Sequence, residues 1–148
     1  MRVMHRLIGC ALAPLLLFGR AATPAERPAG QPGFDASRGR ALYSANCSAC
    51  HGEDGAGQPG TFPPLKGSRV VTKDDATKHM QVVLEGMQGA KAGGVRYATP
   101  MPSFAASLDD ADITDIIDYE RSAWGNHGKP VTVAEVGAAR VKSKLHTH

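Results

Sequence analysis

Cys47-Ser48-Ala49-Cys50-His51 constrains this chain more than any other stretch of it. Two thiols separated by two residues can close a disulfide, work as a redox dithiol, or supply half of a zinc site. The chain has three cysteines in all. The third, Cys10, stands far upstream, so a zinc ribbon lacks its second ligand pair. The histidine directly after Cys50 favours a different chemistry. Two thiols at this spacing can each add to one vinyl group of a haem, while the next imidazole is positioned to reach the iron. His51 is then an axial ligand. A structural disulfide and a haem-free reactive dithiol are the competing readings of the pair.

The first 22 residues carry Arg2, Arg6 and Arg20 and no acid. Arg2 and Arg6 form a positive head, Leu7 to Phe18 is an apolar run, and the small residues Ala21 and Ala22 follow. Residues 1–22 therefore read as an export signal peptide. The run falls short of the ~20 apolar residues a membrane-spanning helix needs, so no transmembrane span is expected in the mature chain. Export places the remainder in the periplasm. Leu7-Ile8-Gly9-Cys10 resembles a lipoprotein signal, but the apolar run continues past Cys10, and lipid anchoring there is not favoured. The formal charge of +3 belongs to this leader, because from Thr23 onward 14 basic residues face 14 acidic ones. Between Asp35 and Asn126 the balance is 9 to 12, while a basic tail from His127 carries Lys129, Arg140, Lys142 and Lys144 against Glu135. So mixed a surface offers no field for nucleic acid, and its acidic centre suits a partner with a basic patch.

Residues 23–34, rich in Pro and Gly and without apolar periodicity, read as a flexible linker. Asp35 can cap a helix over about 36–46 that sets Gly39 and Tyr43 one turn apart on one face, just before Cys47. Thr72 with Asp75 predicts the start of a second helix over about 73–85, with Ala76, Met80, Val83 and Leu84 inward and Gly86 as its stop. Asp109 caps a third over about 110–124, with Ile113, Ile116 and Ile117 inward, Asp110 and Asp112 in its first turn and Arg121 suiting its C-terminal dipole. Thr132 and Glu135 predict a short helix in the tail, to about Val141. No strand is expected. The fold class is all-α: three main helices joined by long loops, at 52–68 and 87–107. Loops of that length call for an organiser other than secondary structure, and a buried porphyrin is one.

A second axial ligand has to come from elsewhere. Met80, Met87 and Met101 are the thioethers after the motif. Met80 lies on the apolar stripe of the second helix and suits the core. Met101, between Pro100 and Pro102, has a restricted backbone and is favoured over Met87. A His/Met pair raises the reduction potential toward electron transfer. Pro63, twelve residues after His51, can offer its carbonyl to the other imidazole nitrogen and so fix the ring. A plain rigid turn is the alternative for Pro63.

Gly39 and Tyr43, Cys47 to His51, Pro63 to Gly67, Met101-Pro102-Ser103-Phe104 and the closing helix together resemble class I cytochromes c over residues 35–126. The resemblance implies one haem c bound through Cys47 and Cys50, iron ligation by His51 and Met101, contacts from Pro63 and Leu65, and first and last helices crossing at Gly39, Tyr43 and Tyr119. Residues 119–126 further resemble the end of small cytochromes that serve periplasmic dehydrogenases or are fused to them. Glu120 stands where the family carries an apolar residue, so this position is expected to be unburied.

The expected function is one-electron transfer, accepting from a periplasmic dehydrogenase and passing to an oxidase or another cytochrome of the respiratory chain. The rival is a haem enzyme or a gas or peroxide sensor with a labile sixth ligand, against which Met101 argues. Glu53-Asp54 and the acids of the third helix find no converging base or nucleophile and are expected to be a solvated or docking face. His127, His146 and His148 are expected to be solvated, and packing is the default for Trp124.

Overall fold

A computed structural model of the chain describes residues 35–145; the expected signal peptide and linker, with Cys10, and His146 and His148 lie outside the described residues. Its helices are α1 (Ala36–Asn46), α2 (Ser48–His51), α3 (Arg69–Thr72), α4 (Thr77–Glu85), α5 (Asp110–Ser122) and α6 (Val133–Leu145), with a 3₁₀ turn at Ala123–Gly125. Two strands of two residues each, β1 (Lys91–Ala92) and β2 (Val95–Arg96), pair antiparallel in the second long loop, which had no expected strand.

Asp35 opens α1 as its sequence predicts, its carboxylate accepting from the backbone N–H groups of Ser37 and Arg38. Gly39 and Tyr43 are the buried face of that helix. A β-carbon on Gly39 would stand 2.4 Å from the Asp115 carbonyl oxygen, so the absence of a side chain lets α1 and α5 cross in backbone contact. Arg38 ties the same crossing electrostatically to Asp112 and Asp115. Tyr43, Tyr119 and Trp124 close it, with ring centroids 5.1–5.5 Å apart. Trp124 is therefore a packing residue, and its indole N–H donates to the Glu53 carbonyl at 3.0 Å.

The start of the second helix and the end of the third differ from expectation. The second long helix starts at Thr77, because Thr72 ends the short α3 and turns its hydroxyl back to the Ser68 carbonyl. Asp75 instead accepts from the Thr77 N–H at 2.9 Å, ahead of an uncapped Ala76. α5 starts with a reciprocal box, Asp109 with Asp112, but stops at Ser122, since Trp124 adopts a left-handed φ of 56° to reach the two tyrosines.

Two expectations about charge fail for one reason: α5 is covered on nearly all sides. Glu120 is 3% exposed, and the acids of α5 are not a solvated face. Asp112 and Asp115 pair with Arg38, Asp110 with Arg140, and Asp118 accepts from the Val131 N–H at 2.7 Å. Arg121 lies in the last turn of α5, where it suits the dipole as expected, and it is also buried. Its 1% exposed guanidinium donates to the carbonyls of Val71 and Lys73, each at 2.7 Å, and of Lys129.

The expected box of Thr132 and Glu135 forms, but α6 runs on to Leu145 and belongs to the core. Val131 and Val136 pack with Met80, Val83, Leu84, Ile113 and Ile117. Arg140 fastens α6 by donating to Asp110 and to the carbonyls of Ala105 and Leu108. His127 is exposed, as expected.

Candidate cofactor site

The two long loops do not fill the space between them. They wall a cleft with about 1180 Å³ of empty space out to its open mouth. Its walls are chiefly apolar: Phe62, Pro64 and Leu65 from the first loop, Val82 and Val83 from α4, Phe104 and Leu108 from the second, and Ile116 from α5. Cys47, Cys50, His51, Pro63, Leu65 and Met101, the six residues singled out from sequence, all line it.

Cys47 interrupts the helix, leaving α1 for the single turn of α2 that carries Cys50 and His51. Both thiols are free and half-buried. Burial pushes the Cys47 thiol far up from its ordinary value, and the negative charge of Glu120 pushes the same way. His51 is 7% exposed, with Nδ1 2.9 Å from the Pro63 carbonyl oxygen. A carbonyl can only accept, so Nδ1 carries the ring's proton and Nε2 keeps a lone pair fit for a metal.

Met101 and Met87 form a reciprocal backbone bridge, Met87 N–H to Met101 O at 3.1 Å and Met101 N–H to Met87 O at 2.8 Å, and both line the cleft. Gly86 allows it: φ is 77°, and a β-carbon there would meet the Met101 carbonyl oxygen at 2.5 Å. The Ser103 hydroxyl, donating to the Leu84 carbonyl, ties the segment after Met101 to the end of α4. Met80 lies in the core at 7% exposure.

These residues fit a porphyrin. The cleft is open, walled by hydrocarbon and unfilled by the protein, with two thiols and a preset imidazole on one side and two thioethers also in its lining. His79 and Glu120 were not singled out as site residues, yet both line the cleft as a buried pair. The available signal was Glu120 itself, a charge at an apolar position of α5.

A family model for cytochrome c matches residues 36–124. The cytochrome c subunit of the quinone alcohol dehydrogenase of Gluconobacter oxydans (strain 621H) is 36% identical over 102 residues, spanning 69% of this chain and 21% of that protein. Cytochrome c-552 of Thermus thermophilus is 35% identical over 113 residues, 70% of this chain and 85% of that protein. The gluconate 2-dehydrogenase cytochrome c subunit of Pantoea cypripedii is 29% identical over 118 residues, 78% of this chain and 27% of that protein. The chain thus spans about a quarter or less of the length of these dehydrogenase subunits, and most of the Thermus protein. Since the family match runs from the first residue of α1 to Trp124, it takes in every element that walls the cleft, and the chain belongs to the cytochrome c family of electron-transfer proteins that carry covalently attached haem c.

Proposed function

We propose that this chain is a periplasmic one-electron carrier whose haem is held by thioethers to Cys47 and Cys50 and ligated by His51 and Met101. The observation that carries the reading is the contact of His51 Nδ1 with the Pro63 carbonyl, which leaves Nε2 as the metal-binding nitrogen in a cleft that Met101 also lines. When bound, the haem supplies an iron centre that takes up and gives back one electron. The chain's residues keep that exchange simple. Pro63 fixes the imidazole, the bridge to Met87 fixes the backbone of Met101, and the walls around Leu65 and Phe104 exclude water. A neutral thioether ligand and an apolar setting both favour the less charged, reduced centre.

Two of the relatives above are named as cytochrome subunits of dehydrogenases, which supports a periplasmic dehydrogenase as donor. The acceptor in this reading is an oxidase or another cytochrome of the respiratory chain. Transient redox contacts are small, below about 1,200 Å² of buried surface, which suits docking at the mouth of the cleft.

The test is the weak far-red thioether-to-iron band of the oxidised protein. Met101→Ala abolishes it and Met87→Ala leaves it in place. The reverse pattern moves the ligand to Met87, and an oxidised wild type without the band overturns His/Met ligation.

A further inference from the structure

Two buried ionisable side chains in the cleft take no part in this ligation. His79 on α4 and Glu120 near the end of α5 meet with Nε2 2.7 Å from Oε2, their side chains 3% and 4% exposed. The other ring nitrogen, His79 Nδ1, is buried with no hydrogen-bond partner. A buried polar atom left without a partner is costly, and a buried imidazole and carboxylate in contact share their protons as a unit. With one proton between them the pair carries a negative charge, and with a second proton, on Nδ1, it is neutral.

The rest of the cleft lining leaves this pair as the group able to change charge beside a haem. Its other titratable members are Cys47, Cys50, His51 and Lys91. The thiols are consumed by attachment, His51 Nδ1 is held by Pro63, and Lys91 lies exposed on the hairpin. Tyr43 on α1 feels the charge of Glu120, and burial keeps it protonated. From α3 the cleft meets only Val70 and Val71. Arg121, next in sequence, turns its guanidinium away to the carbonyls of Val71, Lys73 and Lys129.

We propose that His79 and Glu120 form a proton-binding site coupled to the redox state of the haem, so that the chain takes up a proton with its electron. The inference rests on the haem occupying this cleft. On reduction one electron arrives from the donor and one proton from water settles on His79 Nδ1. On oxidation the electron leaves to the acceptor and the proton returns to water, with no other bond made or broken. The physical cause is like-charge repulsion. The oxidised centre carries one more positive charge, which disfavours the second proton on the pair. His79 and Glu120 act through the haem and are positioning residues in this sense.

The test is the midpoint potential of the haem-loaded protein, measured by spectroelectrochemistry from about pH 5 to about pH 8. The wild type falls with a limiting slope of about 59 mV per pH unit within that range, the conversion of a tenfold change per unit for one electron. The double variant His79→Leu/Glu120→Leu, which leaves no buried charge unpaired, is flat over the same window. Glu120→Gln keeps a hydrogen-bonding partner for His79 and shifts the window, which gives a second readout should the double variant fold poorly. A wild-type potential independent of pH overturns the proposal. So does a slope that persists unchanged in both variants, because it then belongs to the carboxylates of the haem itself. The far-red band recorded in the same cell separates this failure from the other: a flat potential with the band present removes only the proton site, whereas absence of the band removes the His/Met reading.

Discussion

The crossing of α1 with α5 and the cleft that adjoins it are held together by different means. At the crossing the protein meets itself. Gly39 lies against the Asp115 carbonyl, Arg38 spans Asp112 and Asp115, and the rings of Tyr119 and Trp124 pack at a tilt against Tyr43. In the cleft apolar walls from distant loops face open space, and the second loop is held by the Met87–Met101 bridge, the hairpin and a few side-chain bonds. Each ~100 Å² of that wall covered by a ligand contributes ~2.5 kcal/mol at ~25 cal/mol per Å². One region is specified by the chain alone, and the other depends on what is attached to it.

The largest effect follows from removing the attachment. Cys47→Ala/Cys50→Ala is expected to lose covalent haem, measured as pyridine haemochrome, and with it more than about 5 kcal/mol, on the scale of a small domain's whole stability. The losses should be uneven. Hydrogen exchange should speed up most over 52–68 and 87–107 and least in α1 and α5. Uniform loss of protection would break the distinction between the two regions.

A smaller effect isolates the crossing. Gly39→Val puts a branched side chain where a β-carbon alone stands 2.4 Å from a carbonyl oxygen, and should cost about 3 kcal/mol. The folded fraction should keep its visible spectrum and far-red band, since Gly39 does not line the cleft. Thermal unfolding followed by far-UV circular dichroism and by the haem band checks both halves of the prediction. A changed band with unchanged stability would show that the crossing positions the ligands after all.

How much of this was legible in the sequence differs between the same two regions. Local chemistry was readable: the caps at Asp35, Asp109 and Thr132, the apolar stripes of α4 and α5, and the cysteine motif all act over a few residues. The six expected site residues meet in one cleft because each sits at a loop or helix end whose backbone is restricted by Pro, Gly or the motif itself. Charge was misread. Glu120, Arg121 and the acids of α5 look like surface residues when only their own helix is considered. Their partners are His79, 41 residues away, Val71, 50 residues away, Arg38, 77 and 74 residues away, and Arg140, 30 residues away. Burial of a charge is decided by such distant partners, which periodicity does not report. The tail was underrated in the same way, since Val131 and Val136 become core residues only through contact with α4 and α5.

The smallest expected effect concerns one carboxyl within the packed half. Asp118 is 3% exposed, and its desolvation pushes its pKa up to about 6 from 3.8, against the opposing pull of the Val131 N–H and of Arg121. Between those two values the folded chain holds a proton that the unfolded chain has released. Stability from this group is therefore fully present below about pH 4 and is lost as the pH rises through about 6. Asp118→Asn keeps an amide oxygen to accept from Val131 and cannot ionise, so it should remove that fall. The variant should match wild type in melting temperature near pH 4 and exceed it by about 4 °C at pH 7. A difference that stays constant with pH would mean that the packed half accommodates the ionised carboxylate without strain, and that its advantage over the cleft extends even to a buried charge.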